Sequence, residues 1–354
     1  MSGIPQGYYR KIATIGGIMS IKWVVIGAGG IADRRTIPAL VKDNSNTLVA
    51  IMDKSPTLAK TVGEKYNVPY FTDESEMLAK VDCDAVYIST PVFCHYNQAM
   101  LALSHGKHVF IEKPVGLDGA QSKELLDAFK RAGKQLSVGY MMKYHNLHQK
   151  AKQIIKDGGI GQVNSVRAQF TCWYPDIPGA WRQNRKLGGG GALMDLGVHC
   201  IELIEYVLDD EIQEVKGIYS TNTFNYEVED GAIVVFKTKG GTLGHVDVNF
   251  NIPDQASNSK FELYGSAGYL IMSGTLAQEE VGTLSHLYAP QGDYDANQNR
   301  TNPIPVLYES EGGNMYSKQL KHFVDLISNG VLDYTHADRA VHVQQIVDKI
   351  YQDN

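Results

Sequence analysis

Lys113 stands in Glu112-Lys113-Pro114-Val115, directly after a short apolar run, and far downstream Asp195 precedes His199 in Asp195-Leu196-Gly197-Val198-His199. On a helix this i, i+4 spacing puts a carboxylate and an imidazole on one face, a turn apart. Taking a hydride from an alcohol carbon requires the hydroxyl proton to leave as well, and an imidazole, whose ordinary pKa lies near neutrality, suits that base role. An ammonium brought close would disfavour the imidazolium and stabilise negative charge developing on the substrate oxygen. Leu193, Leu196, Val198, Ile201, Leu203 and Ile204 surround the pair, so His199 is expected to be partly buried, neutral and able to accept a proton. Asp195 has two readings, holding a substrate hydroxyl or orienting the imidazole. The pair in isolation more often means a hydrogen-bonded core histidine beside a helix N-terminal charge.

Positioning these groups falls to two textures of chain. From Lys22 onward, short apolar runs (23–26, 48–52, 85–88, 109–111, 136–138) alternate with helix-length segments. Continuous apolar runs joined by helices indicate a parallel sheet covered on both faces, and right-handed crossovers make it doubly wound. A Rossmann-type domain over 21–140 is the expectation. Beyond it, after a helix through Lys150 and Ile155, come longer alternating segments at 163–173, 212–224, 232–237, 243–250 and 260–264. They predict an α+β domain over 141–354 with an open, mostly antiparallel sheet. Lys239-Gly240-Gly241-Thr242 should form a hairpin turn. One helix is expected over 191–207 and two more after Asn314 and Ala337, which could pack back on the first domain. Residues 1–20 read as an N-terminal extension, since the run after Arg10 and Lys11 is short and glycine-rich for a signal peptide. The polar stretch 291–302 reads as a surface excursion.

Val25-Ile26-Gly27-Ala28-Gly29-Gly30-Ile31-Ala32 follows a strand and opens a helix in the form G-x-G-x-x-A. Gly27 permits a tight turn, Gly29 lets backbone approach a pyrophosphate, Ala32 allows close helix–sheet packing, and helix N-terminal amides face the anion, with Gly30 and Ile31 counted among the cofactor contacts. A glycine fingerprint alone is weak; Asp53 at the end of the next strand supplies the ribose acceptor it requires. A carboxylate there accepts from a 2′-hydroxyl and repels a 2′-phosphate, favouring NAD, although Lys54 offers charge compensation and keeps NADP open. Asp53 as a mere cap on the following turn is the plainer alternative. Ser89-Thr90-Pro91 ends the third run where ligands bind in such sheets, with an ordinary turn as the alternative. His95 is a candidate cofactor contact, or else a packing residue at its helix start.

Thirty-three basic against thirty-nine acidic side chains leave a net charge of −6. Nothing here offers a basic face to nucleic acid or acidic lipid, and no apolar stretch approaches the roughly 20 residues of a membrane helix. Cys83, Cys94, Cys172 and Cys200 form no C-x-x-C pair, which fits a reduced cytoplasmic protein. His145 and His148 stand at i, i+3, but no acidic or cysteine partner lies at ligand spacing, so no metal is expected. Tyr144, His145, Trp173 and Tyr174 are candidates to line a cleft, the aromatics by stacking on a sugar face, although a packed core aromatic is the commoner case.

The glycine fingerprint, Glu112-Lys113-Pro114, Trp181-Arg182 and Gly189-Gly190-Gly191-Ala192-Leu193-Met194-Asp195-Leu196-Gly197-Val198-His199 occur in this order and spacing. Together they resemble the Gfo/Idh/MocA family of glucose–fructose oxidoreductase and inositol dehydrogenase, over nearly everything from residue 21 onward. The resemblance implies that Lys113, Asp195 and His199 are the catalytic trio. It also implies that Trp181 and Arg182 lie near substrate and cofactor, and that Glu112 belongs with the cofactor site. Substrate groups are then Lys113, Tyr144, Trp181, Asp195 and His199. The expected activity is NAD(P)-dependent oxidoreduction at a secondary alcohol of a sugar or cyclic polyol, in a homodimer or homotetramer built through the open sheet. Family members that retain NAD through a glycosidase-type or coupled cycle, and non-catalytic NAD-sensing regulators, are the alternatives. Inositol-type members often carry an aspartate three residues after the histidine; Glu202 stands there, which argues against inositol itself.

Overall fold

The computed structural model describes residues 20–353 except 291, 293, 295 and 298–302. All but Ser20 of the expected N-terminal extension, and most of the polar stretch 291–302, lie outside the described residues. The first sheet comprises β1 (Ile21–Ile26), β2 (Asn46–Met52), β3 (Tyr70–Phe71), β4 (Ala85–Ile88), β5 (His108–Ile111) and β6 (Leu136–Val138). Its spatial order is β3-β2-β1-β4-β5-β6, and every neighbouring pair is parallel. The order reverses between β1 and β4, which opens the crevice at their carboxyl ends. Strands covered on both faces need apolar residues at every position, and the Ala-Val-Tyr-Ile of β4 is buried throughout. Two-residue β3 is too short for periodicity to reveal.

The second sheet contains β7 (Val163–Thr171), β8 (Ile212–Ser220), β9 (Gly231–Thr238), β10 (Leu243–Asn249), β11 (Lys260–Gly265), β12 (Gly268–Ser273), β13 (Thr283–Tyr288) and β14 (Val306–Glu309). In space they run β14-β13-β12-β11-β7-β10-β9-β8, antiparallel throughout except for the parallel pair β7–β10. The predicted hairpin joins β9 to β10, with Thr238 N donating to Thr242 O at 2.9 Å. One face is buried and the other open: along β9, Ala232, Val234 and Phe236 are buried while Ile233 and Val235 are exposed, and Ile218 on β8 is 77% exposed.

Two C-terminal helices tie the halves together. Phe323 on Met315–Ser328 packs against Trp23 of β1 (ring centroids 5.1 Å) and Phe110 of β5 (5.7 Å), so this helix covers the first sheet. Helix Thr335–Gln352 reaches both sides: Asp338 pairs with Lys130 (2.6 Å), Asp348 accepts from Gly119 N (2.6 Å), and His342 meets Glu205 of Val198–Leu208 (2.9 Å). The helix expected over 191–207 is not uniform. It begins as a wide π-type turn, Leu193–Gly197, and becomes regular over Val198–Leu208. The same irregularity follows the glycine loop, where the π-type turn Ala32–Thr36 leads into Ile37–Lys42. Such turns concentrate at functional sites.

Candidate active site

The carboxyl ends of β1, β2, β4 and β5 form one wall of a cleft of about 1060 Å³ whose other wall carries Phe170, Trp181, Arg182, Asp195 and His199. A single small ligand usually fills about 300–1,000 Å³, so the cleft has room for a dinucleotide together with a second molecule.

At the nucleotide end, Gly27 has φ +91°, and a Cβ there would lie 2.9 Å from backbone of Ser89 and Thr90. Only glycine fits that conformation without strain. A Cβ on Gly29 would likewise meet the Leu58 side chain at 2.9 Å. Ser89 fastens the loop by donating to Gly27 O (2.6 Å), and the Thr90 hydroxyl donates to Gln98 (2.5 Å). Asp53 accepts from Ala28 N through Oδ2 and from Ser55 N through Oδ1, both at 2.9 Å. Its capping role and its place in the cleft are thus compatible, because each oxygen keeps a second lone pair. Lys54 pairs with Glu74 (2.9 Å), and both line the cleft. The glycine turn, the amides at the start of a helix and the acid just after β2 fit a dinucleotide.

At the other end, the Lys113 ammonium donates to Asp195 twice, to Oδ1 (2.7 Å) and to the backbone O (2.9 Å). Arg182 adds a second cation, its Nε 3.5 Å from the same Oδ1, while its guanidinium stacks on Trp181 at 4.3 Å. Burial pushes the Asp195 carboxyl up, but Lys113 and Arg182 outweigh it and hold it well below the usual carboxylate range. Among the described residues no hydrogen bond joins Asp195 to His199. Instead the imidazole is held by ring edges, Tyr140 at 5.7 Å and Phe170 at 6.4 Å, and its buried Nδ1 has no described partner. Burial, reinforced by the Lys113 charge, lowers its pKa well below the ordinary value. A neutral imidazole beside an ammonium can take up a proton while the ammonium faces an oxygen gaining charge.

The turn bearing Asp195 is fixed from behind. Glu229 is buried, and its Oε1 accepts from Gly191 N (2.9 Å), Leu193 N (3.1 Å) and the Tyr351 hydroxyl (2.7 Å). A carboxylate at a helix start is well placed against the macrodipole. A Cβ on Gly191 would fall 2.0 Å from Glu229 O, so glycine is what permits this approach.

Gly27, Gly29, Gly30, Ile31, Asp53, Lys54, Thr90, Pro91, Glu112, Lys113, Trp181, Arg182, Asp195 and His199 all line the one cleft, and Tyr174 joins them. Other candidates lie elsewhere. His95 is 1% exposed with a carbonyl at each ring nitrogen, Pro114 O and Thr90 O, both at 2.9 Å. It ties the Thr90 turn to the segment after Lys113 instead of reaching the cleft. Tyr144 points away from the cleft to His322 (3.0 Å), because the turn Met141–Tyr144 presents its methionines to the cleft. His145 contacts Val281 O, and His148 contacts Met142 O and Thr275; among the described residues no three His, Cys, Asp or Glu side chains are grouped to hold a metal. Trp173 packs on Phe224 away from the cleft. Glu202 is paired with Lys143 at 2.8 Å, both essentially unexposed, so its carboxylate is committed to a buried ion pair. Sequence reasoning passed over Arg34, Glu74, Phe170, Gln278 and Tyr316, which also line the cleft. Phe170 follows the inward alternation of Val166 and Ala168 on β7 and could have been found that way. Gln278 and Tyr316 arrive from distant segments without a local signal.

Fold and cleft together define an NAD(P)-dependent oxidoreductase. Residues 21–140 match the oxidoreductase family with an NAD-binding Rossmann fold, and residues 148–271 match the Gfo/Idh/MocA C-terminal domain. The chain belongs to the Gfo/Idh/MocA family. It is 25% identical to D-glucoside 3-dehydrogenase of Escherichia coli K12, over 94% of this chain and 95% of the relative. To 1,5-anhydro-D-fructose reductase of Ensifer adhaerens it is 27% identical, over 75% and 79%. Among solved structures, the aldose–aldose oxidoreductase of Caulobacter crescentus superposes with a TM-score of 0.83 at 24% identity, covering 94% of this chain and 97% of that one. No described helix is long and apolar enough to cross a membrane.

Proposed function

We propose that the protein oxidises a secondary alcohol of a sugar or cyclic polyol, or reduces the matching ketone, with NAD preferred over NADP. Residues 21–140 bind the dinucleotide, while 141–354 supply the substrate wall and the oligomer contacts. The observation that carries this reading is the pair of hydrogen bonds that the Lys113 ammonium donates to Asp195 across the cleft, near a neutral His199 and in the same cleft as the Gly27 turn. The nicotinamide, when bound, supplies or accepts the hydride. His199 takes the hydroxyl proton in oxidation and returns it in reduction. Lys113 stabilises the substrate oxygen as its charge grows, and Asp195 fixes that ammonium and accepts from a neighbouring substrate hydroxyl. Tyr174 and Trp181 offer aromatic faces to the ring. The names of the two relatives described above, both acting on sugar-type compounds, support this class. A panel of sugars and polyols, followed at the nicotinamide absorbance with both cofactors, tests the proposal. Binding of NADH without turnover of any compound would turn the reading toward a nucleotide sensor.

The open face of the second sheet, with Ile218, Ile233 and Val235 exposed, supports assembly into a homodimer or homotetramer through that face. Light scattering on wild type and Ile218→Glu checks this, a monomeric wild type excluding it.

A further inference from the structure

Four charged side chains line the adenosine end of the cleft: Arg34, Asp53, Lys54 and Glu74. Asp53 alone lies on the strand end where ribose acceptors are expected. Its carboxylate is immobilised by two amides, Ala28 N and Ser55 N, so it cannot swing away from a 2′-substituent. Lys54 is next in the chain, mostly exposed and on a flexible stem, so it can reach a 2′-phosphate placed beside Asp53. It is not idle: its ammonium is 2.9 Å from Glu74 Oε2. Glu74 belongs to a different element, the first turn of Glu74–Lys80, whose start is pinned by the Asp73 side chain accepting from Glu76 N. Glu74 is itself largely buried, with a side chain 18% exposed against 68% for Lys54. The less mobile partner therefore dictates where the pair sits. Arg34, the other cation, is tethered through Nε to Gly30 O at 3.2 Å. Two carboxylates thus match two cations in formal charge at this end, and of the two cations Lys54 is the one held in an ion pair, while Arg34 leans on a carbonyl.

We propose that Glu74 is the residue that sets the cofactor preference, by holding the Lys54 ammonium away from the ribose 2′-position. The inference rests on the reading that Asp53 faces that ribose, and it assigns discrimination to a pair of residues on two elements. Neutralising Glu74 leaves one cation in excess beside the 2′-position, and a lysine with four rotatable bonds then pairs with a phosphate placed there. Glu74 is a positioning residue here, acting through Lys54.

Direct fluorescence titration of the full chain with NADH and with NADPH, in wild type, Glu74→Gln, Lys54→Met and the double variant, tests this. Wild type should bind NADH more tightly than NADPH. Glu74→Gln should raise the ratio of NADPH to NADH affinity on the order of tenfold, the effect expected of one released charge on a partly solvated phosphate. The double variant should lose that gain. A merely structural role for Glu74 would weaken both cofactors together and leave the ratio unmoved, which overturns the proposal. A gain that persists without Lys54 overturns it too, as does a wild type that prefers NADPH. Failure of wild type to bind either dinucleotide would overturn the nucleotide reading of the cleft along with it, whereas NADH binding with an unmoved ratio removes Glu74 alone.

Discussion

The two ends of the cleft are built by different means. At the nucleotide end the working surface is mostly backbone, shaped by Gly27 and Gly29 and braced by Asp53 and Ser89. At the other end it is side chains, an ammonium, a carboxylate and an imidazole contributed by elements 82 residues apart in sequence. Backbone geometry tolerates changes in neighbouring side chains; a charge pair joining the segment after β5 to the turn Leu193–Gly197 does not. Substitutions at one end should therefore change affinity for the dinucleotide, and at the other the rate of the chemical step.

The largest effects test the chemical end. Lys113→Ala and His199→Ala should each lower turnover by roughly 10²-fold or more, through lost charge stabilisation and lost proton transfer, while NADH titration stays close to wild type. Parallel loss of NADH affinity in both would erase the division between the ends. Next, Gly27→Ala should weaken NADH binding by about tenfold or more, since a strained φ costs about 1–3 kcal/mol; unchanged affinity would mean the turn does not touch the dinucleotide. Asp53→Ala should narrow the NADH-to-NADPH affinity ratio by several-fold, on the order of 1 kcal/mol for one charge-assisted hydrogen bond. An unmoved ratio would deny Asp53 contact with the ribose.

Protons provide the smallest and most selective probe. With the His199 pKa well below its ordinary 6.5, the base stays neutral, and kcat/KM for oxidation should show no inflection near 6.5. An inflection there would place the imidazole in water. Global stability should behave differently. Burial lowers His95 and His108 to about 4 and His148 to about 3, from an ordinary 6.5. Below 6.5 the unfolded chain takes up these protons and the folded chain does not, so stability is whole above that pH and declines as pH falls toward 4 and then 3. Thermal midpoints measured between pH 8 and about 5 check the sign; a midpoint rising with acidity would contradict it.

What the sequence revealed follows the same division. The glycine turn and Asp53 were legible because one strand, one turn and one helix determine them locally. Lys113, Asp195 and His199 were legible as residue types, but isolated spacing favoured a core histidine, and resemblance was needed to reverse that reading. The errors share a cause. His95 and Tyr144 are polar groups at promising positions, yet each is consumed by a partner brought in from elsewhere, Pro114 O for one and His322 for the other. Glu229 was invisible: nothing in Val228-Glu229-Asp230 announces that its carboxylate reaches Gly191 and Leu193. Strands β12, β13 and β14 went unread, although Leu270 and Met272 of β12 alternate with less buried neighbours, whereas the doubly covered strands of the first sheet announced themselves as solid apolar runs.

Tyr351, on the helix Thr335–Gln352, completes the buried acid that steadies the Asp195 turn, and Phe323, one helix earlier, lies over the first sheet. A nascent chain emerging from the ribosome therefore leaves Trp23 and Phe110 without Phe323 until some three hundred residues after the first and two hundred after the second have been made. The dinucleotide half is born uncovered and the reactive half unbraced. Synthesis must run almost to residue 351 before either becomes competent, so cutting the chain between the two sheets should yield fragments that recover function only by finding each other.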